Sequence, residues 1–395
     1  MKLNFGIRPL QSRSKRKSAG ACINFLKEME GEDYILLARP GLTKKKEVDS
    51  GYIRAMDSFG GVLYVVVGDD FYSLDTSYNR TKRGTLYTTG GRVSMSFDGT
   101  YVVIVDGQEV YTYNTSTNVF ALNADSDIIA NPTHTVFSDG FHFINGANGQ
   151  MATHETSYDP AGNWDALDFA TAEYAPDDLL AMVADHGNIF MFGSRTTEVW
   201  EYDPNSQALP LRPIRSAYIE YGTAAAYSPI QYDNSVVWLA RDKNGQGVAV
   251  RADGWTPQII STPELHKEWG SYSDLSDAIS QVWWIEGHPI WLLTFPTADK
   301  TWAYDSSTGS WSEFQRYETD ITDRGRHRSN CSTFFNDKTV CGDYYNGWLY
   351  EVDFDTYKDG DDPLLASAES QKVWDGGRSI FHSRIELMFE RGVGL

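Results

Sequence analysis

The stretch Val199-Trp-Glu-Tyr-Asp203-Pro-Asn places alternating aromatic and β-branched residues directly before an Asp and a tight-turn sequence. The same phrase occurs six more times, at residues 71–77, 110–116, 156–162, 249–255, 301–307 and 348–353. The residues that begin the turns are Asp75, Asn114, Asp159, Asp203, Asp253, Asp305 and Asp353, and the intervals between them are 39, 45, 44, 50, 52 and 48 residues. Self-similarity at such a period indicates a repeat protein built from one supersecondary unit.

A second turn signal precedes a short hydrophobic strand in each unit. Gly60-Gly61 stands before the apolar run 62–67, and Asp233-Asn234 stands before the run 236–240. The other five signals are Asp98-Gly99, Asp139-Gly140, His186-Gly187, Gly287-His288 and Asn336-Asp337. Gly, Asn and Asp tolerate the positive φ that tight hairpins require. Each unit therefore supplies a four-stranded antiparallel sheet.

A period of 40 to 50 residues made of β-hairpins predicts an all-β fold, a β-propeller of about seven four-stranded blades over residues 55–365. Residues 1–54 are expected to form a basic N-terminal extended arm that serves as a docking segment, and residues 366–395 a short, incomplete C-terminal β segment. One or two helical turns are expected at 262–269, where Pro263 occupies the first helical position. A pair of β-sandwiches is the alternative architecture, because their turn signals also recur.

The composition agrees with a strand-rich protein and excludes several classes. Aromatic residues make up 14% of the 395 residues, hydrophobic residues 41% and charged residues only 22%, which disfavours disorder. The net charge of −20 argues against a general DNA-binding surface, since such binding depends on clustered positive charge. The apolar runs are strand-sized, and the polar N-terminus carries no secretory signal. We therefore expect a soluble protein made in the cytoplasm.

Positive charge is concentrated at the N-terminus. Residues 1–46 carry eleven basic and four acidic side chains, a net charge of +7, whereas the remainder of the chain carries −27. The candidate docking residues are Arg13, Lys15, Arg16, Lys17, Arg39, Lys44, Lys45 and Lys46. Such a segment predicts docking on an acidic neighbour or on DNA. A solvated leader is the alternative interpretation.

No catalytic, cofactor or metal site is predicted. The histidines His134, His142 and His154 lack the close spacing of zinc ligands, and we expect them to be ordinary core or surface residues. Cys331 and Cys341 flank a predicted hairpin turn, so they are expected on adjacent strands as reduced thiols. The chain contains no G-x-S-x-G, no G-x-G-x-x-G and no G-x-x-x-x-G-K motif.

Several ordered stretches resemble one protein family. Residues 21–28 (Ala-Cys-Ile-Asn-Phe-Leu-Lys-Glu) and 37–42 (Leu-Ala-Arg-Pro-Gly-Leu) look like the opening of packaged-DNA stabilisation proteins, the tail hub or nozzle of short-tailed bacteriophages. The stretches 192–198, 340–343 and 347–350 are similar to later parts of the same family. The resemblance runs over nearly the whole chain. Its motifs are turns and strand edges, so the order of the motifs along the chain supports it more than any single motif does.

The resemblance implies a virion structural protein of the phage tail, assembled in the host cytoplasm and without enzymatic activity or cofactors. It implies a six-fold ring of copies below the portal and its adaptor, which extends the DNA channel, retains the genome, and carries tail fibres or spikes and a plug. A wall of net negative charge would repel the phosphate backbone and let DNA slide without sequence specificity. The family usually continues beyond a strand like 385–394, whereas this sequence stops at Leu395, so that segment's part in the ring contact is not carried over.

Abundant Trp residues and paired carboxylates are also typical of a second class of function, a propeller that binds or hydrolyses glycans. The stretch 157–164 comes close to the Asp-box turn of sialidase-type propellers, and Asp159 and Trp164 are the residues to test. A host scaffold propeller is a third interpretation.

Overall fold

Seven antiparallel sheets, one for each sequence repeat, are arranged in a ring as the blades of a β-propeller. The computed structural model describes residues 22–31, 33–146, 149–154, 159–172, 177–206, 209–317 and 325–370. Within blades 1 to 6 the four strands are hydrogen-bonded in sequence order, from the innermost strand to the outermost, and in blade 7 the first three strands follow the same order. The predicted seven-bladed β-propeller is therefore confirmed, and the pair of sandwiches is excluded.

Four of the described strands precede blade 1 in the sequence: β1 (Cys22–Ile23), β2 (Phe25–Glu30), β3 (Asp33–Ala38) and β4 (Gly41–Glu47). Blade 1 consists of β5 (Ile53–Phe59), β6 (Val62–Val67), β7 (Asp70–Leu74) and β8 (Arg80–Thr85). Blade 2 consists of β9 (Ser94–Phe97), β10 (Tyr101–Val105), β11 (Val110–Asn114) and β12 (Val119–Leu122). Blade 3 consists of β13 (Thr135–Ser138), β14 (Phe141–Asn145), β15 (Gln150–His154) and β16 (Trp164–Thr171).

Blade 4 consists of β17 (Leu179–Asp185), β18 (Asn188–Gly193), β19 (Thr197–Tyr202) and β20 (Leu211–Pro213). Blade 5 consists of β21 (Ile230–Tyr232), β22 (Ser235–Arg241), β23 (Gly247–Asp253) and β24 (Thr256–Ile259), and the helix α1 (Pro263–Trp269) follows it. Blade 6 contains β25 (Ile279–Ile285), β26 (His288–Phe295), β27 (Lys300–Asp305) and β28 (Ser310–Glu313). Blade 7 contains β29 (Ser329–Phe335), β30 (Lys338–Asp343) and β31 (Trp348–Asp353), and the chain continues through β32 (Lys358–Asp359), β33 (Asp362–Pro363) and β34 (Ser367–Ala368).

The hairpin turn between the first and second strands of each blade, here called the first turn, depends on left-handed backbone. Both central residues have positive φ in six blades, at Gly60-Gly61, Asp139-Gly140, His186-Gly187, Asp233-Asn234, Glu286-Gly287 and Asn336-Asp337. Such turns match the twist of the flanking strands. The sixth turn lies one residue before the predicted Gly287-His288, because Glu286 adopts a φ of 47°.

The recurring phrase forms the third strand of a blade and the third turn, which leads to the fourth strand. It ends β7, β11, β19, β23, β27 and β31, whereas in blade 3 the turn residue Asp159 lies beyond the end of β15. The hydrophobic run after each first turn is the second strand. Its side chains alternate between the two faces of the blade: Leu63 and Val65 pack toward blade 7, and Tyr64 and Val66 pack toward blade 2.

Each of the seven hydrophobic clusters lies between two neighbouring blades. Since both faces of a second strand are covered, its sequence is a continuous apolar run. The helix α1 contributes Leu265 and Trp269 to the cluster between blades 5 and 6, in agreement with the predicted helical turns at this place.

The ring is closed by the N-terminal segment. Strand β4 pairs antiparallel with β31 and forms the fourth strand of blade 7, with Leu42 opposite Val352. Strand β1 pairs with β28 of blade 6, and β34 pairs with β1. The predicted boundary of the arm at residue 54 therefore needs correction, because β4 and the start of β5 belong to blades. Without β4, the outer edge of β31 would be left unpaired.

Cys331 and Cys341 lie on the adjacent strands β29 and β30, as predicted, and both are free thiols. Cys341 is opposite Ser332 in the register, so the two thiols face different sides of the sheet and belong to different clusters. None of the described helices is long and apolar enough to cross a membrane.

Candidate docking surface and axial cavity

Arg39, one of the predicted docking residues, is buried inside the protein and is therefore not available to a partner. Its guanidinium forms a two-pronged ion pair with Asp359, at 3.0 Å from Nη1 to Oδ1 and 2.5 Å from Nη2 to Oδ2. Its other N–H groups donate to Pro40 O, Gln315 O and Asn24 Oδ1. The segment before β4 is thus fixed to the end of blade 6 and to the strand after blade 7.

Asn24 completes this attachment and was not foreseen from the sequence. Its side-chain Nδ2 donates to the carbonyl oxygens of Gln315 and Leu365, and its Oδ1 accepts from Gln315 N. Asn24 adopts a φ of 56°, a conformation that Asn tolerates better than most residues. The stretches that carry the family resemblance, 21–28 and 37–42, therefore contain the residues that close the ring.

The three lysines of β4 lie on the outer side of blade 7. Lys44 pairs with Asp361, and its Nζ lies 4.9 Å from the centre of the Trp348 ring. Lys45 is the bulge residue of the strand and pairs with Glu351 at 2.7 Å. Lys46 is opposite Leu349 and half-buried. These amines are accessible at the surface, although two of them are already paired with carboxylates.

The remaining predicted docking residues, Arg13, Lys15, Arg16 and Lys17, lie outside the described residues. The structure brings Lys44, Lys45 and Lys46 onto one strand and separates Arg39 from them by burial. The predicted docking role of the accessible lysines remains a prediction.

The hairpin formed by β2 and β3 is a separate two-stranded sheet beside the outer edges of blades 6 and 7. Leu26 anchors its base in the cluster between these blades. Farther out, Met29 is 56% exposed and Ile35 is 42% exposed, on opposite faces of the hairpin. A two-stranded sheet of this kind is marginally stable by itself, and its apolar side chains suit a contact with another protein surface.

Side chains of different blades meet at the ring axis and close it. The ring of His134 stacks on Tyr227 at 4.8 Å, and the Arg92 guanidinium lies 5.9 Å from the same tyrosine ring. Arg92 Nη1 also donates to Asn330 O at 2.8 Å. The space left beside these groups, here called the axial cavity, has a volume of about 250 Å³. Duplex DNA, whose major groove alone is about 12 Å wide, cannot pass through it.

The pKa values of two side chains at the axial cavity are shifted in opposite directions. Burial lowers the pKa of His134 to about 4, because the charged imidazolium would lose its hydration. Burial raises the pKa of Asp57 to about 6, although Ser58 N and Thr333 Oγ1 both donate to its Oδ1. Burial therefore favours the neutral form of both side chains.

The residues considered for glycan chemistry do not form a site. Trp164 is buried and its Nε1 donates to Pro160 O, so its ring is not open to a sugar. Asp159 is exposed and belongs to a turn, in which Gly162 N donates to Asp159 O. His142 is enclosed by Asp98 and Ser96, and His154 Nε2 accepts from His142 N. Within the described part of the chain, no three His, Cys, Asp or Glu side chains come together as a metal site.

The comparisons with known proteins point to one family. Residues 22–357 match the phage stabilisation family, whose description is "Bacteriophage P22 Gp10, beta-propeller". No curated protein matches the sequence.

Among solved structures, the extracellular domain of a candidate one-component system from B. thetaiotaomicron is 9% identical, with a TM-score of 0.52. The alignment covers 80% of this chain and 40% of that chain, so this chain spans about two fifths of the protein it matches. A chain of the mitotic checkpoint complex is 12% identical with a TM-score of 0.50, covering 83% of this chain and 98% of that chain. At such identities the likeness is one of fold alone.

The family match begins at Cys22, where the described fold begins, and it extends beyond the last strand of blade 7. A phage structural family of this kind suggests a non-enzymatic protein of the virion. The resemblance seen in the ordered sequence motifs is confirmed, and this chain belongs to the bacteriophage Gp10 stabilisation family of β-propellers.

Proposed function

We propose that this protein is a tail hub or nozzle protein that forms a six-fold ring of copies below the portal and its adaptor. The ring extends the DNA channel, retains the packaged genome, and carries tail fibres or spikes and a plug. The observation that carries this proposal is the closed axis of the propeller, where Arg92, His134 and Tyr227 meet. Because DNA cannot pass through one chain, a conduit has to be formed between several copies.

The charge of the chain supports such a conduit. The net charge of −20 keeps the copies from holding the phosphate backbone at strong sites, so DNA passes without sequence specificity. The β2–β3 hairpin, with Met29 and Ile35 exposed, is the element that we assign to contacts with a neighbouring copy or the adaptor. The lysines of β4 lie close to it along the chain and add positive charge to the same region.

Electron microscopy of the purified protein and of virions tests this proposal. We expect a ring in which each propeller axis lies off the ring axis, with density for this chain below the portal. Met29→Glu together with Ile35→Glu should abolish the ring while leaving the propeller folded, whereas Val119→Glu, at an equally exposed site on β12, should leave the ring intact. Monomers alone, or DNA density along a propeller axis, would overturn the proposal.

A further inference from the structure

A cleft of about 650 Å³ lies between blades 4 and 5, on the face that carries the first and third turns of the blades. Blade 4 contributes Asp185 and His186 from its first turn. Blade 5 contributes Asp233 from its first turn and Asp253 and Trp255 from its third turn. Trp255 is 44% exposed. It follows Gly254, whose φ of 59° is the left-handed conformation of a tight turn. The cleft therefore combines an open indole ring with three carboxylates.

The carboxylates of this cleft are only partly neutralised. Asp233 pairs with Arg251 at 3.1 Å. Asp185 accepts a hydrogen bond from Gln231 Nε2 at 2.8 Å and lies 2.9 Å from His186 Nδ1. The Asp253 side chain is exposed and has no partner among the described residues. Three carboxylates thus face one guanidinium and one imidazole, so negative charge is in excess and the cleft suits a cationic ligand.

An exposed indole beside carboxylates is a good site for an Arg or Lys side chain. The face of a Trp ring attracts a guanidinium or an ammonium through its quadrupole, and adjacent carboxylates accept the N–H groups. The first turns of blades 3, 6 and 7, on the same face, also carry the exposed acidic residues Asp139, Glu286 and Asp337. A basic peptide is therefore the ligand class that fits best.

The chain itself supplies such a peptide. Residues 1–21 contain six basic side chains and no acidic one, namely Lys2, Arg8, Arg13, Lys15, Arg16 and Lys17. Strand β1 runs parallel to β28, which starts after the third turn of blade 6. The N-terminal end of β1 is therefore directed toward the acidic face, one blade away from the cleft. A segment of 21 residues can span up to about 70 Å, which is ample for this distance.

We propose that the cleft between blades 4 and 5 binds the basic N-terminal segment, residues 1–21, of the same chain. One cationic side chain of the segment lies against Trp255, and others pair with Asp253 and the neighbouring carboxylates. In the free protein this contact holds the positive charge against the propeller, away from nucleic acid. The proposal goes beyond the tail function and does not depend on a ring of copies.

Limited trypsin digestion of the full chain tests this contact, because the segment carries the cleavage sites Arg13, Lys15, Arg16 and Lys17. We expect Trp255→Ala and Asp253→Asn each to speed cleavage in this segment about two- to fivefold at low salt, the effect of losing one solvent-exposed contact. Salt at 0.5 M should bring the wild type to the same rate. The matched controls are Trp284→Ala, a Trp that is 45% exposed outside the cleft, and Asp337→Asn on blade 7, and neither should change the rate.

The melting temperatures of all four variants should stay close to that of the wild type, since these are surface positions. Equal cleavage rates in the cleft variants and the wild type would overturn the proposal. Protection that disappears on dilution would assign the segment to a second copy and would also overturn it. An oligosaccharide on a glycan array that binds through Trp255, with arm cleavage unchanged by Trp255→Ala, would assign the cleft to glycans instead.

Discussion

At the scale of single residues, Arg39 and Arg54 are the arginines that the described fold buries completely, and each uses all five of its N–H groups. Arg39 pairs with Asp359, whereas Arg54 donates to Gly68 O, Thr88 O, Thr88 Oγ1, Gly90 O and Gly91 O without a carboxylate. Burial lowers the pKa of Arg54, because desolvation disfavours the charged guanidinium. These side chains fix loops and strand ends, so their positive charge has a structural role.

The ion pair between Arg39 and Asp359 should contribute strongly to stability. Removing one partner leaves the other charge buried and unpaired, so Arg39→Ala should lower the free energy of unfolding by about 3–5 kcal/mol. Lys45→Ala, which breaks the more exposed pair with Glu351, should cost about 0–1 kcal/mol. Urea denaturation of both variants measures the difference. Similar losses in the two variants would contradict the structural role of Arg39.

Asp57 should destabilise the protein at neutral pH. Its pKa is raised by burial from 3.8 to about 6, so the folded state holds its proton more tightly than the unfolded chain does. The cost of ionising it is absent below pH 3.8 and grows as the pH rises through 6. Asp57→Asn should therefore raise stability by about 1–3 kcal/mol at pH 7.5 and change little at pH 4. A gain of equal size at both pH values would refute this, and Asp337→Asn is the exposed control.

At the scale of strands, the predictable parts of the fold are those whose pattern is local. The second strand of each blade is buried on both faces, and the third turn repeats its chemistry, so both could be predicted from the sequence. The closing strand β4 could not be predicted, because its partner β31 lies at the other end of the chain. Only Gly41 and Leu42 of this strand are buried, and its three lysines give it the composition of a solvated arm.

The same difference between local patterns and distant contacts explains which part of the candidate docking surface could be predicted. Basic side chains near the N-terminus predicted docking, yet composition cannot tell a paired guanidinium such as that of Arg39 from a free amine. The carboxylate of Asp359 lies 320 residues farther along the chain than Arg39, on β32, which pairs with β4. Asn24 donates to the carbonyl oxygens of residues 315 and 365, which are similarly distant in the sequence. Contacts between such distant segments follow from the closed ring and have no local sequence pattern.

Truncation should separate the arm from the closing strand. A chain that begins at Cys22 keeps β1 and β4 and should melt close to the full chain. A chain that begins at Val48 loses β4 and the ion pair of Arg39, so its melting temperature should fall by roughly 10 °C or more. The pairing of β4 with β31 gives part of the predicted docking segment, residues 1–54, a role in folding.

Circular dichroism measures both melting curves. A peptide of residues 22–47 added to the shorter chain should restore part of the loss by pairing again with β31. Equal melting temperatures for the two truncated chains would show that β4 does not hold the ring closed.

At the scale of the whole molecule, the seven clusters between blades form a continuous ring, and the axis is closed by polar and aromatic groups rather than left open. Each blade contributes to two clusters, so a change at one interface is felt by both neighbours. Under the proposed function, the propeller forms part of the wall and the passage for DNA lies between several copies.

The buried histidines should make the whole ring sensitive to acid. Burial lowers the pKa of His134 to about 4 and that of His327 well below 6.5, so both are neutral in the folded state. In the unfolded chain they take up protons below about pH 6.5, so stability is complete above 6.5 and falls as the pH drops toward 4. His134 alone accounts for up to about 3 kcal/mol, and the opposite effect of Asp57 offsets only part of the total. Melting curves at pH 7.5, 6 and 5 should show a steady decrease, and this decrease should be smaller in His134→Gln. His186→Gln should not make it smaller, because the contact with Asp185 raises the pKa of the exposed His186. A decrease of the same size in His134→Gln as in the wild type would show that the axial histidine does not carry the acid sensitivity.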